Sequence, residues 1–246
     1  MVDRLRAAGC VFAEDEARLL ASAAGSPDEL AAMVERRIAG LPLEHILGWV
    51  EFAGLRIAVD PGVFVPRQRT ELLVREAAAL AAPGAVVVDL CCGCGALGVA
   101  LASLVPDVEL VAADVSANAV RCARRNVTGR VYQGDLFDAL PESLRGRVDI
   151  LLANVPYVPT EAIATMPPEA RDHEPQAALD GGADGLTVFR RVASGAPEWL
   201  APGGHVLMET GESQVATAVS VLAAAGLTPR VIASVELFST GVVGTR

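Results

Sequence analysis

Two short stretches hold the residues best suited to bind a ligand and act on it. In the first, an apolar run at 86–90 that contains Asp89 leads into Cys91-Cys92-Gly93-Cys94-Gly95-Ala96-Leu97-Gly98. Glycines in the order Gly-x-Gly-x-x-Gly, between a strand and a helix, let a ligand come close to the backbone. Asp89 bears on which ligand. A pyrophosphate asks for amide donors and the positive end of a helix, and a neighbouring carboxylate repels it. A sulfonium with an ammonium group asks for that carboxylate, and S-adenosylmethionine carries both cations and no phosphate. Asp114, ending the next apolar run, can accept from both hydroxyls of a ribose. Asp135, on the run after that, falls where the adenine edge would lie. Each aspartate taken singly serves equally as a helix cap or turn former, and the glycines alone also fit a nicotinamide dinucleotide. Three acids at successive strand ends favour S-adenosylmethionine.

The second stretch is Asn154-Val155-Pro156-Tyr157, which follows another apolar run. The Asn154 side-chain oxygen and a nearby backbone carbonyl can each accept one N–H of a planar amide or amino group. Tyr157 can pack on the face of that group. A turn with Asn in an unusual backbone conformation is the plainer reading of the same residues.

These stretches need a scaffold that brings them to one edge. Strand-like runs at 86–90, 110–114, 131–135, 148–154, 205–210 and 230–233 alternate with helical ones at 96–104, 117–126, 184–199 and 213–225. Such alternation predicts a mostly parallel sheet with helices on both faces, and strands this apolar suit a sheet covered on both sides. Residues 242–244 can form a last strand. The preceding third of the chain differs. Residues 1–40 read as helices, one of them started by Ser26-Pro27-Asp28-Glu29, with Ser26 as N-cap and Glu29 completing a capping box. Gly40 and Pro42 end it. Residues 49–52 and 55–59 read as a hairpin turning at Ala53-Gly54, and 69–82 as an amphipathic helix.

Composition narrows the partners. The 246 residues carry 20 basic side chains, all arginine, against 30 acids, for a net charge of −10. A nucleic-acid binder needs a basic face, and 4% aromatic residues are too few for a base-stacking platform. Arg121, Arg124, Arg125 and Arg130 read as a solvated helix face, and Trp49 and Trp199 as packing anchors. No apolar run approaches the ~18–20 residues of a membrane span, and the charged first twenty residues are unlike a signal peptide. A soluble cytoplasmic protein is expected. The five cysteines are then expected to be reduced thiols. Adjacent cysteines without a second C-x2-C pair argue against a metal site, so none is expected.

Taken together, the motifs resemble the HemK/PrmC type of protein-(glutamine-N5) methyltransferase. The matching segments are Pro42 to Gly48, Phe64-Val65-Pro66-Arg67 with Thr70-Glu71, Asp89 to Gly98, Asp114 with Ser116, Gly134-Asp135-Leu136-Phe137, Asn154 to Tyr157, Glu174-Pro175, Gly181 to Leu186, and Pro202 through Gly211 and Gln214. The resemblance implies a class I, Rossmann-like methyltransferase with a mostly parallel seven-stranded sheet. It implies a helical N-terminal domain over 1–47, a hairpin linker over 48–66 and the methyltransferase domain over 67–246. It further implies methyl transfer from S-adenosylmethionine to a glutamine side chain of a protein, a release factor or another translation-related protein. The cofactor would be held by Phe64, Asp89, Cys91, Cys92, Gly93, Cys94, Gly95, Asp114, Asp135, Leu136 and Asn154, with Asn154, Val155, Pro156 and Tyr157 as the catalytic corner. His173 and Glu174 are candidates for a lid. Three departures stand out. Val155 replaces the first proline of Asn-Pro-Pro-Tyr, Cys91-Cys92-Gly93-Cys94-Gly95 replaces Gly-Thr-Gly-Ser-Gly, and Gln68-Arg69 replaces the Pro-Glu of Pro-Arg-Pro-Glu-Thr-Glu. The rival readings are an adenine-N6 nucleic-acid methyltransferase, a non-catalytic S-adenosylmethionine-binding module and a nicotinamide reductase.

Overall fold

The computed structural model describes residues 1–246. Four helices open the chain: α1 (Val2–Ala7), α2 (Ala13–Ala23), α3 (Pro27–Ile38) and α4 (Leu43–Leu47). Ser26 Oγ accepts from the Glu29 amide at 3.2 Å, and the Glu29 carboxylate reaches back to the Gly25 amide at 2.7 Å. The predicted cap therefore forms, with its return bond one residue earlier than a standard capping box. The four helices share a small core built on Leu5, Ala17, Leu20, Met33, Val34 and Ile46. A hairpin follows, β1 (Trp49–Phe52) and β2 (Leu55–Ala58), paired only with itself.

The remainder is the alternating unit: α5 (Glu71–Leu80), β3 (Val86–Leu90), α6 (Ala96–Leu104), β4 (Glu109–Asp114), α7 (Ala117–Asn126), β5 (Arg130–Gln133), β6 (Val148–Ala153), α8 (Pro168–His173), α9 (Gln176–Leu179), α10 (Thr187–Trp199), β7 (Leu200–Glu209), α11 (Val215–Ala224), β8 (Thr228–Ser234) and β9 (Ser239–Thr245). Its seven strands run in the order β5-β4-β3-β6-β7-β9-β8. Strands β3 to β7 are parallel, and β9 is antiparallel to both β7 and β8. Side chains alternate between the faces, as strand geometry requires. Val87, Ala112, Ile150 and Leu152 pack against α5, α6 and α7. Val88, Val111, Leu151 and Ala153 pack against α10 and α11. Asp89 shares the face of Val87 and so turns toward α6. The parallel strands end together, which puts the turns after β3, β4 and β6 on one carboxyl edge.

Element boundaries moved where local polar groups intervene. The predicted helix over 184–199 starts at Thr187, because the Asp184 carboxylate accepts from the Leu186 amide and holds a turn instead. Strand β5 ends at Gln133 rather than Asp135, as Gly134 turns the chain away after donating to the Asp114 carbonyl. Trp199 is buried and stacks on Phe137 at 5.8 Å. No helix is long and apolar enough to cross a membrane.

Candidate active site

The carboxyl edge carries one large cavity, with about 1130 Å³ of empty space including its open mouth. That is room for a nucleoside-sized ligand and an acceptor side chain together. On one side stand Asp89, Cys91 to Cys94, Ala96, Asp114 and Phe64, with Gly95 turned instead against Val127 and Ala123; on the other, Asn154, Pro156, Tyr157 and Arg69.

The first side is held together by carboxylates accepting from backbone amides. Asp89 Oδ2 accepts from the Gly98 amide at 2.9 Å, fixing the first turn of α6, while Oδ1 has no partner in the chain. Burial, and secondarily the Asp114 charge, push the Asp89 carboxyl up to about 7 against the pull of the Gly98 N–H. Asp114 Oδ2 accepts from Gly93 at 2.9 Å and Oδ1 from Ser116 at 2.8 Å. One side chain thus clamps both ligand-facing turns. Burial raises its pKa and those amides lower it. Gly93 has φ +56°, and a Cβ there would meet nothing within 4 Å. Its backbone is therefore open to a ligand. Gly98 is needed for packing, since a Cβ would come 2.8 Å from Leu110 Cδ1.

Cys91 also adopts a left-handed conformation, φ +54°, at the position where the family pattern has glycine. A side chain there costs about 1–2 kcal/mol, and such strain accumulates at functional turns. Burial, with Asp114, Asp89 and Asp135 nearby, pushes the Cys91 thiol up to about 12. Cys92 and Cys94 are buried and raised by burial too. All three line the cavity as neutral thiols. Asp135 and Leu136 do not line it. The Asp135 carboxylate is bound by Arg191 at 2.8 Å, and Leu136 packs into the core on the α10 side. The reason is the early end of β5, which leaves both residues in a turn beside Cys91.

On the second side, Asn154 Oδ1 is buried and has no hydrogen-bond partner. A buried acceptor left unpaired costs about 1–3 kcal/mol and calls for a donor from outside the chain. No hydrogen bond of the chain ends on the Val155 carbonyl either. Val155 is buried in the core and is not among the residues that line the cavity, although its neighbours Asn154 and Pro156 are. Tyr157 is fixed at both ends. Its hydroxyl donates to Glu209 Oε1 at 2.7 Å and accepts from Arg69 Nη2 at 2.6 Å, and its carbonyl accepts from Gln214 Nε2 at 2.9 Å. Glu209, buried at the end of β7, also takes Arg69 Nε at 2.9 Å and the Thr70 hydroxyl at 2.6 Å. Burial first, then the Glu209 charge, raise the Tyr157 phenol far above its ordinary value. Arg69, Thr70 and Glu209 were not among the expected site residues. Their sequence signals are the departure at Arg69 from the family pattern and the place of Thr70 and Glu209 inside segments that match it.

The 160–180 segment roofs the cavity. Glu174, within this segment, is buried and accepts from Arg67 Nη2 at 2.6 Å and from the Val65 amide at 3.2 Å. Burial raises the Glu174 pKa against the lowering by Arg67. Glu169 of α8 pairs at 3.1 Å with Arg37 of α3, which also binds Glu16 at 2.6 Å. The roof is thereby tied to the helical N-terminal part and to the segment between the hairpin and α5.

These features fit S-adenosylmethionine: the Asp89 side chain, buried but with one carboxylate oxygen unspent on the chain, for a cation, an open glycine backbone, and Asp114 at the strand end, whose oxygens each take one amide.

Residues 54–169 match the family described as the methyltransferase small domain. The chain is 39% identical over 209 residues to the release factor glutamine methyltransferase of Geobacter sulfurreducens, across 82% of this chain and 72% of that protein. It is 41% identical over 205 residues to the 4-amino-L-phenylalanine/4-methylamino-L-phenylalanine methyltransferase of Streptomyces pristinaespiralis, across 78% of this chain and 69% of that one. A solved methyltransferase from Pyrococcus furiosus superposes with a TM-score of 0.59 at 17% identity, over 78% of this chain and 89% of that chain, a likeness of fold alone.

Proposed function

The chain belongs to the family of release factor glutamine methyltransferases, and on that premise we propose that it methylates the side-chain amide nitrogen of a glutamine in a release factor. The cofactor is S-adenosylmethionine, which when bound supplies an electrophilic methyl group on its sulfonium. Asp89 meets the cationic end of the cofactor, and Asp114 accepts from the ribose hydroxyls. Phe64 and the 91–95 turn enclose it, with Asp135 and Leu136 at its flank. We assign residues 1–47 to a helical domain, 48–66 to a linker and 67–246 to the catalytic domain, and infer a cytoplasmic location, where release factors act.

The observation that carries this reading is the orphaned Asn154 oxygen beside a free Val155 carbonyl. A primary amide is a poor nucleophile because its lone pair is delocalised. Two acceptors that grip its two N–H groups fix the nitrogen in one orientation and favour loss of planarity. Orientation of this kind contributes several kcal/mol, with about 7–11 as the upper range. Tyr157, locked by Glu209 and Arg69, closes the face of the amide, and Pro156 stiffens the corner. The amide proton leaves to solvent after the methyl group has moved.

Asn154→Ala tests the clamp. S-adenosylmethionine binding by calorimetry stays within about threefold while methyl transfer to the release factor falls at least about tenfold, or 1.4 kcal/mol. Full transfer by the variant would remove the clamp. Mass spectrometry of the product must find the methyl group on a glutamine; label on another residue type refutes the substrate assignment.

A further inference from the structure

We infer that the acceptor side of the cavity binds a carboxylate beside the methylated nitrogen, held by Arg69 and Arg67. The inference rests on the amide-transfer reading and adds the chemistry of the flanking substrate group. Both arginines line the cavity, and each is anchored by a buried carboxylate, Glu209 for Arg69 and Glu174 for Arg67, neither of which lines it. Arg69 spends Nε on Glu209 and one Nη2 hydrogen on Tyr157, and its Nη1 makes no bond in the chain. Arg67 spends only Nη2, on Glu174. The anchoring carboxylates are nearly inaccessible, with side chains 3% and 1% exposed, while the arginines remain 48% and 33% exposed.

This arrangement differs from an ordinary surface arginine. A free arginine must give up side-chain entropy to bind an anion, whereas these two are already fixed with donors unspent. Planar donor pairs suit a carboxylate, which accepts them in bidentate fashion. Each guanidinium is formally neutralised by its partner, so long-range attraction is weak and discrimination comes from short-range donors. The surroundings make the feature specific: the chain carries −10 overall and offers no general basic surface. Arg69 also stands where the family pattern has glutamate. At that position the mouth thus presents the opposite charge, against the hydroxyl of the residue that covers the acceptor amide.

The carboxylate has two available sources, an acidic side chain next to the glutamine in the acceptor protein or the α-carboxylate of a free amino acid. One set of assays separates them. Purified full-length enzyme is given labelled S-adenosylmethionine and either of two glutamine peptides that differ only in a flanking Glu or Gln, or free L-glutamine. Wild type prefers the Glu peptide by at least about tenfold in kcat/KM, mainly through KM. Arg69→Gln and Arg67→Gln each pull that ratio toward one, and Arg69→Lys keeps part of it. Arg69→Glu reverses it in favour of a Lys-flanked peptide. The ratio is insensitive to general damage at Tyr157, which lowers both rates together. Transfer to free L-glutamine with the same dependence on Arg69 assigns the group to an α-carboxylate. Equal kcat/KM for both peptides in the wild type, together with no Arg69-dependent transfer to free L-glutamine, overturns the inference and leaves amide transfer standing. No transfer to any glutamine acceptor overturns both.

Discussion

The two sides of the cavity are built in different ways. The cofactor side is held by carboxylates accepting from backbone amides close along the chain: Asp114 to Ser116 spans 2 positions, Asp89 to Gly98 spans 9, and Asp114 to Gly93 spans 21. The acceptor side is held by side chains meeting across the fold: Tyr157 to Glu209 spans 52 positions, Arg67 to Glu174 spans 107, and Arg69 to Glu209 spans 140. A site that must cradle an invariant cofactor can be written into turns. A site that must suit one particular acceptor is assembled from distant residues, and each can change without dismantling the turns.

The sharpest way to break this contrast is Glu209→Ala. It leaves the Thr70 and Tyr157 hydroxyls and the Arg69 guanidinium without their common acceptor. Calorimetric unfolding should show a loss of about 2–4 kcal/mol, less than a fully buried ion pair because Arg69 is half exposed. Bound S-adenosylmethionine should be less affected than methyl transfer. Equal loss of both would mean that the two sides are not separable.

A smaller effect is expected on the cofactor side, from pH. The Asp89 carboxyl is held up to about 7, so the acid form dominates below that value. A cation favours the carboxylate, so binding S-adenosylmethionine lowers the pKa and releases a proton at acid pH. Affinity should fall by up to about tenfold per pH unit below 7, about 1.4 kcal/mol, and level off above it. Asp89→Asn should bind more weakly and flatten the profile. A wild-type affinity independent of pH between 5.5 and 8 would mean that Asp89 faces no charge on the cofactor.

The smallest effect is expected from Val155→Pro. The Val155 amide donates no hydrogen bond, so proline removes nothing from the network, and its ring restricts the corner. Unfolding should change by less than about 1 kcal/mol, with a rise of a few-fold in kcat. A large loss of stability would place the burden on the packing of the Val155 side chain.

How much was legible follows the same division. The glycine turn, Asp89, Asp114 and the Asn154–Tyr157 corner were readable because their chemistry is carried by adjacent residues and by strand-to-turn transitions that apolar periodicity announces. Asp135, expected at the adenine edge, lies outside the cavity lining because Gly134 ends β5 early and the Asp135 carboxylate pairs with Arg191. The pairing of Arg69 with Glu209 carried no local signal: the departure at Arg69 marked the position but not its partner, and a glutamate at a strand end is ordinary in isolation. Glu174 could equally have been a surface loop residue until Arg67 and the Val65 amide were found around it.

The sequence by itself determined the alternating strand and helix order, the glycine-rich turn and the acids flanking it. These depend on side-chain period and backbone conformation, both properties of short segments. Only the tertiary structure decided which arginines keep donors free, which carboxylates are buried against them and which amide oxygen is left without a partner. Burial and pairing are set by contacts between segments far apart in the chain, and no local pattern encodes them.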